Sequence, residues 1–144
     1  MITRRDFLVL ACSVASTSVC ATPAAVQDAI RKLTGGAPVA KGKVRLDVLP
    51  LIENGNSVVL SVSVDSAMTP AEHVKAIHVF ALQNPLPNVV SVYLGPRSGR
   101  ARFTTRVRVA DSQMLHAVAQ LSDNSFWSDS VEVIVTLPAC SEER

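Results

Sequence analysis

The 144-residue sequence has no excess of charge of either sign: 14 Lys and Arg stand against 12 Asp and Glu, with three histidines. That balance lacks the basic footprint that nucleic acid or an anionic membrane surface requires. No Gly-rich phosphate loop, no G-x-S-x-G elbow and no paired-carboxylate arrangement is present. His73, His78 and His116 show no H-x-H or H-x-x-x-H spacing, and no cysteine pair joins them, so no metal site is expected. His73 and His78 are an odd number apart on one expected strand and point to opposite faces, which reads as structural use. No internal repeat, low-complexity tract or long linker divides the chain. With no activated catalytic constellation and no cofactor motif, an enzyme acting on its own is not expected.

Cysteine is scarce as well, with only Cys12, Cys20 and Cys140. Two of these lie in the segment "MITRRDFLVLACSVASTSVCATPA". Arg4 and Arg5 precede Phe7-Leu8, an uncharged apolar stretch runs to Val19, and Val19-Cys20-Ala21 supplies small residues of the A-x-A type. The apolar core is too short and too rich in Ser and Thr to span a membrane, and the three parts together describe an export signal. The arginine pair before Phe-Leu suggests the twin-arginine route, with the basic region of a general secretory signal as the alternative. Cys12 after Leu10-Ala11 is a weak match to a lipid-attachment site, with only six residues between it and the arginine pair. Export to the periplasm with cleavage after Ala21 is the expectation. The remaining 123 residues suit one domain and carry 12 basic and 11 acidic residues. No membrane association is expected after cleavage.

What is present in the remainder is strand pattern. Thr22-Pro23 followed by "AAVQDAIRKLTGG" predicts a short amphipathic helix, with Thr22 as N-cap, proline at the first position and Gly35-Gly36 as the stop. Val26, Ile30 and Leu33 form its apolar face. Beyond "APVAKG" the period changes to two. "KVRLDVL", "VVLSVSVDS", "HVKAIHVFAL", "VVSVYL", "RFTTRVRV", "MLHAVAQLS" and "FWSDSVEVIVTL" are each bounded by Gly, Pro, Asn, Asp or Ser. Seven such strands at short spacing predict an all-β, immunoglobulin-like antiparallel β-sandwich, with a β-barrel as the alternative.

Arg102, Arg106 and Arg108 share one face of their strand, while Phe103, Val107 and Val109 face the core. Arg97 and Arg100 occupy the preceding loop. The arginines read either as a solvated outer face or as a contact for an anion or an acidic partner, with Arg97, Arg100 and Arg102 the candidates. Trp127 reads as a core residue. Cys140 is the one thiol left after cleavage, three residues beyond the last strand. One cysteine makes no internal disulfide, and in an oxidising compartment it pairs between molecules, carries an adduct or is hidden. Three extended residues carry it about 10 Å from the domain. No sequence-adjacent His or Lys activates it, and Glu142 and Glu143 follow, so it reads as a handle rather than a nucleophile.

"ENGNSVVLSVSVDSAMTP", "IHVFALQNPLPNVVSVYLGPRSGRA" and "LSDNSFWSDSVEVIVTL" resemble the SoxY family, sulfur-carrier subunits of the bacterial Sox thiosulfate-oxidising system, from about Val26 to Cys140. The resemblance implies twin-arginine export, an immunoglobulin-like sandwich and a heterodimer with a SoxZ-like β protein. It also implies that Cys140 holds small sulfur anions covalently while separate Sox-type enzymes act on them. The ending departs from the family's glycine-flanked cysteine. Pro138-Ala139 precede Cys140, and Ser141-Glu142-Glu143-Arg144 follow. Two expectations result: a covalent carrier, or a SoxY-like binding and assembly subunit whose carrier role is lost or altered. The expected organisation is an export signal over 1–21, helix and sandwich over 22–137, and a cysteine-bearing arm over 138–144.

Overall fold

The computed structural model of the protein describes residues 23–139. The expected export signal over 1–21, the N-cap Thr22, and the arm from Cys140 onward lie outside the described residues.

Helix α1 (Pro23–Thr34) stops where its glycines require it. Gly35 and Gly36 both have positive φ, 63° and 87°, and the Gly36 N–H returns to the Arg31 carbonyl at 3.2 Å. That bond caps the helix with one of its own orphan carbonyls, in a conformation glycine adopts without strain. Nine strands follow: β1 (Val39–Lys41), β2 (Val44–Val48), β3 (Leu51–Ile52), β4 (Val58–Val64), β5 (Val74–Ala81), β6 (Asn88–Tyr93), β7 (Arg102–Val107), β8 (Gln113–Leu121) and β9 (Phe126–Val135). They form two sheets, one in the order β1-β9-β8-β5-β6 with β3 also paired to β9, the other in the order β2-β4-β7. The seven longer strands correspond to the seven expected from the period-two pattern, and the architecture is a β-sandwich rather than a barrel.

β1 and β3 are additions to the expected set, and both pair parallel to β9, so the larger sheet is mixed rather than purely antiparallel. Three and two residues are too few to show a period, which is why neither stood out in the sequence. They record a crossing. The chain starts beside β9, passes into the other sheet as β2, and returns to β9 as β3. Asp129 of β9 ties this edge together, its Oδ2 accepting the Leu46 N–H at 2.9 Å on the side of β2 that has no strand neighbour.

Alternation decides the core. Val44, Leu46 and Val48 of β2 and Val58, Leu60, Val62 and Val64 of β4 face Ile77, Val79, Leu115, Ala117 and Val133 of the larger sheet. Val26, Phe80, Val118 and Phe126 form a second cluster beneath α1. Covering by both the second sheet and the helix explains why β5 is buried along nearly its whole length instead of alternating. The outer face of β2-β4-β7 has no such cover. None of the described helices is long and apolar enough to cross a membrane.

Candidate functional site

The cysteine arm begins at a defined point. Past β9, Thr136 donates its N–H to the Ile52 carbonyl at 2.9 Å, and the Leu137 carbonyl accepts the Gly55 N–H at 2.8 Å. The Gly55 carbonyl accepts the Val109 N–H at 2.8 Å, and the Ala139 N–H points back to the Val109 carbonyl at 3.4 Å. Gly55 is thus clasped between the end of β7 and the chain leaving β9. A side chain has no room there: a Cβ on Gly55 lies inside van der Waals contact with the Val109 carbonyl oxygen, 2.9 Å from the Ala139 nitrogen and 3.1 Å from Val135 Cγ1. Its φ is not in the left-handed region, so space rather than backbone freedom requires glycine. Pro138 and Ala139 therefore lie along the end of the sandwich and do not extend from it. The 10 Å reach expected from three extended residues is correspondingly shortened, because those residues spend hydrogen bonds on the domain.

Beside this root is an apolar groove of about 570 Å³ with Leu49, Leu51 and Val59 on its walls and Asn54 and Ser57 toward the arm. Leu49 is 74% exposed and Leu51 57%. Ile134, also 57% exposed, stands next to Leu51 in register across the β3–β9 pairing. Large apolar side chains gathered this way on an exposed face mark a surface that something covers.

The arginines sort as their parity indicated. Arg102, Arg106 and Arg108 are exposed, Val107 and Val109 are buried, and Phe103 packs partly on the core. Arg97 and Arg100 are exposed in the β6–β7 loop, which is fastened to the sandwich by the Val64 N–H on the Ala101 carbonyl at 2.8 Å. The structure adds Arg45 of β2, which stands in the same cross-strand row as Ser63 and Arg102. Sequence reading missed it because cross-strand neighbours are set by register, not by separation along the chain.

The histidines are dispersed. His78 is buried on β5, its Nδ1 2.8 Å from Ser91 Oγ, and it meets Tyr93 edge-on. Burial lowers its pKa below the ordinary histidine value. His116 on β8 is lowered too, first by burial and then by the charge of Lys41. His73 falls just before β5, with Nδ1 3.2 Å from the Thr69 carbonyl. Trp127 is half-buried against the main core, with Lys43 Nζ 5.2 Å above its ring and its Nε1–H donating to Ser125 Oγ. Among the described residues no three His, Cys, Asp or Glu side chains converge as metal ligands.

This geometry defines a small β-sandwich with an amphipathic helix, an apolar groove and the segment leaving β9 rooted beside it. Similar solved structures agree on the fold. A superoxide reductase (neelaredoxin) variant from Ignicoccus hospitalis aligns with TM-score 0.59 at 16% identity, over 80% of this chain and 89% of that one. A superoxide reductase described as such from Thermotoga maritima aligns with TM-score 0.57 at 17% identity, over 67% and 93%. The enzyme from Nanoarchaeum equitans gives 0.55 at 7% identity, over 67% and 100%. At these identities the likeness is one of fold alone. Among curated proteins none matches the chain. The family model described as sulfur oxidation protein SoxY matches residues 30–140, and the chain belongs to that family. It is accordingly a sulfur-oxidation protein of a carrier-subunit family, whose members work in a Sox-system complex with a SoxZ-type partner.

Proposed function

We propose that the protein is a periplasmic covalent carrier of sulfur intermediates, with Cys140 as the attachment point. The observation that carries this reading is the extent of the family match, which runs through the sandwich and ends on Cys140 itself. The chemistry asks little of the carrier. Joining the Cys140 thiol to thiosulfate forms one S–S bond and releases one proton and two electrons, and a separate Sox-type enzyme takes those electrons. The chain contributes a thiol with no sequence-adjacent His or Lys to activate it, for separate enzymes to act on. Export through residues 1–21, by the twin-arginine route, places that thiol in the periplasm and removes Cys12 and Cys20.

In this reading the SoxZ-like partner covers the groove of Leu49, Leu51 and Val59, together with Ile134. Because Asn54 and Ser57 line the same groove and Gly55 holds Leu137, a subunit seated there stands beside the arm root.

One observation favours a second reading, an assembly subunit with its carrier role lost or altered. Pro138 and Ala139 replace freely rotating glycines, and Ala139 is drawn onto Val109, so neither residue is free to extend from the domain. Intact-mass analysis of protein isolated from cells metabolising thiosulfate separates the two. The carrier reading expects reductant-sensitive sulfur adducts that vanish in Cys140→Ser; a thiol that is always bare overturns it.

A further inference from the structure

The outer face of β2-β4-β7 contains a second small site, which shares Asp47 and Ser61 with the apolar groove. Arg45, Ser63 and Arg102 stand in one row across the three strands, and Asp47, Ser61 and Thr104 form the next. Adjacent strands are about 4.8 Å apart, so the two arginines start about 10 Å from each other with Ser63 between them. The cleft they enclose measures about 170 Å³ and is lined by Arg45, Asp47, Ser61, Ser63 and Arg102.

The donors in this cleft are unspent. Neither guanidinium lies within ion-pair distance of a carboxylate among the described residues, whose ion pairs are Arg31–Asp28 and Lys43–Glu72. Ser61 is occupied, its hydroxyl bonded to Thr104 Oγ1 at 2.7 Å. The Ser63 side chain has no hydrogen-bond partner among the described residues. Two guanidiniums and one free hydroxyl thus line a space that also holds a single acid, Asp47, and the formal charge of the lining is +1. At the roughly 30 Å³ that a liquid water occupies, the cleft holds about six heavy atoms. That is the size of one tetrahedral oxyanion, not of a peptide segment. Arg97 and Arg100, in the loop fastened to Val64, do not line the cleft but add positive potential along the approach.

We infer that Arg45, Ser63 and Arg102 form a binding site for a small sulfur oxyanion, separate from the Cys140 arm. Guanidinium forks suit the paired oxygens of an –SO₃ group, and the serine hydroxyl supplies a third donor between them. Choosing sulfur over other oxyanions rests on the proposed function; the existence of an anion site does not. Arm and cleft lie at opposite ends of β4, since Gly55 precedes its first residue and Ser63 is next to its last. The site therefore gathers or retains free anion away from the arm root.

The test is an NMR titration of the full chain at low ionic strength with sodium thiosulfate, sodium sulfate and, at matched ionic strength, sodium chloride. Saturable millimolar shifts of the Arg45, Ser63 and Arg102 amides are expected with thiosulfate or sulfate and not with chloride. Arg45→Gln and Arg102→Gln each weaken binding about tenfold, the loss of one charged hydrogen-bonding partner. Arg106→Gln, on the same face but outside the cleft, changes it less than twofold, and Ser63→Ala weakens it a few-fold. Unchanged thermal melting of these surface variants shows that the losses are local. Shifts that never saturate, an equal response to chloride, or equal weakening by Arg106→Gln overturns the site. Thiosulfate binding fails or succeeds here independently of whether Cys140 acquires an adduct in cells.

Discussion

Replacing Gly55 by alanine is the sharpest test of how the arm is rooted. One methyl group enters a space already filled by the Val109 carbonyl, the Ala139 nitrogen and Val135 Cγ1. Overpacking of this kind costs about 1–3 kcal/mol. The displaced backbone also weakens the Gly55–Leu137 and Val109–Gly55 hydrogen bonds, each worth about 1 kcal/mol net. Alanine returns about 0.4–1 kcal/mol by stiffening the unfolded chain, since the φ at this position suits any residue. The balance is about 2 kcal/mol of destabilisation. At about 2 cal/mol/K per residue, a domain of this size has an unfolding entropy near ~0.25 kcal/mol/K, so Tm falls by about 8 °C. Thermal melts followed by circular dichroism measure that fall. Amide exchange supplies the local readout: the Ala139 N–H exchanges faster by more than the global loss of stability explains. A variant that melts within a degree or two of the parent, or above it, refutes the clasp, because the entropic gain alone then decides the outcome.

The edge closure and the histidines give two further expectations. Asp129→Ala leaves the Leu46 N–H without its acceptor and costs about 2 kcal/mol, whereas Asp129→Asn keeps an oxygen there and costs less than half of that; urea midpoints rank the two, and equal values count against the bridge. His78 and His116 both have pKa values lowered by burial, so their contribution is fully present above the unfolded value of about 6.5 and is lost as pH falls below it toward their folded values. Urea unfolding at pH 7.5 and pH 5 checks this: stability drops at the lower pH and drops less in His78→Gln, while a pH-independent midpoint refutes the burial argument.

Much of the fold was legible because it is local. Alternation in Val44–Val48 and Val58–Val64 states which side chains face inward, and Pro23 and Gly35-Gly36 mark where the helix starts and stops. The split of Arg102, Arg106 and Arg108 from Val107 and Val109 follows from the same period of two. β1 and β3 were not legible, since two or three residues have no period and owe their strand geometry to β9. Trp127 was expected in the core and is there in part, with Lys43 across its ring.

The functional pole divides the same way. Cys140 is conspicuous in the sequence as the one cysteine outside the expected export signal, and the motifs from Glu53 to Leu137 tie it to a family. Gly55 carries no such mark: inside "ENGNS" it reads as an ordinary turn glycine, and its requirement arises from Val109, Val135 and Ala139, which are distant along the chain. Arg45 is likewise 57 residues from Arg102 and becomes its neighbour through the pairing of β2, β4 and β7. Residue type and period act within a few residues, so they suffice for the seven longer strands, their faces and the candidate handle. Register and close packing act between segments, so tertiary structure alone decided where the handle is rooted and which donors share a cleft.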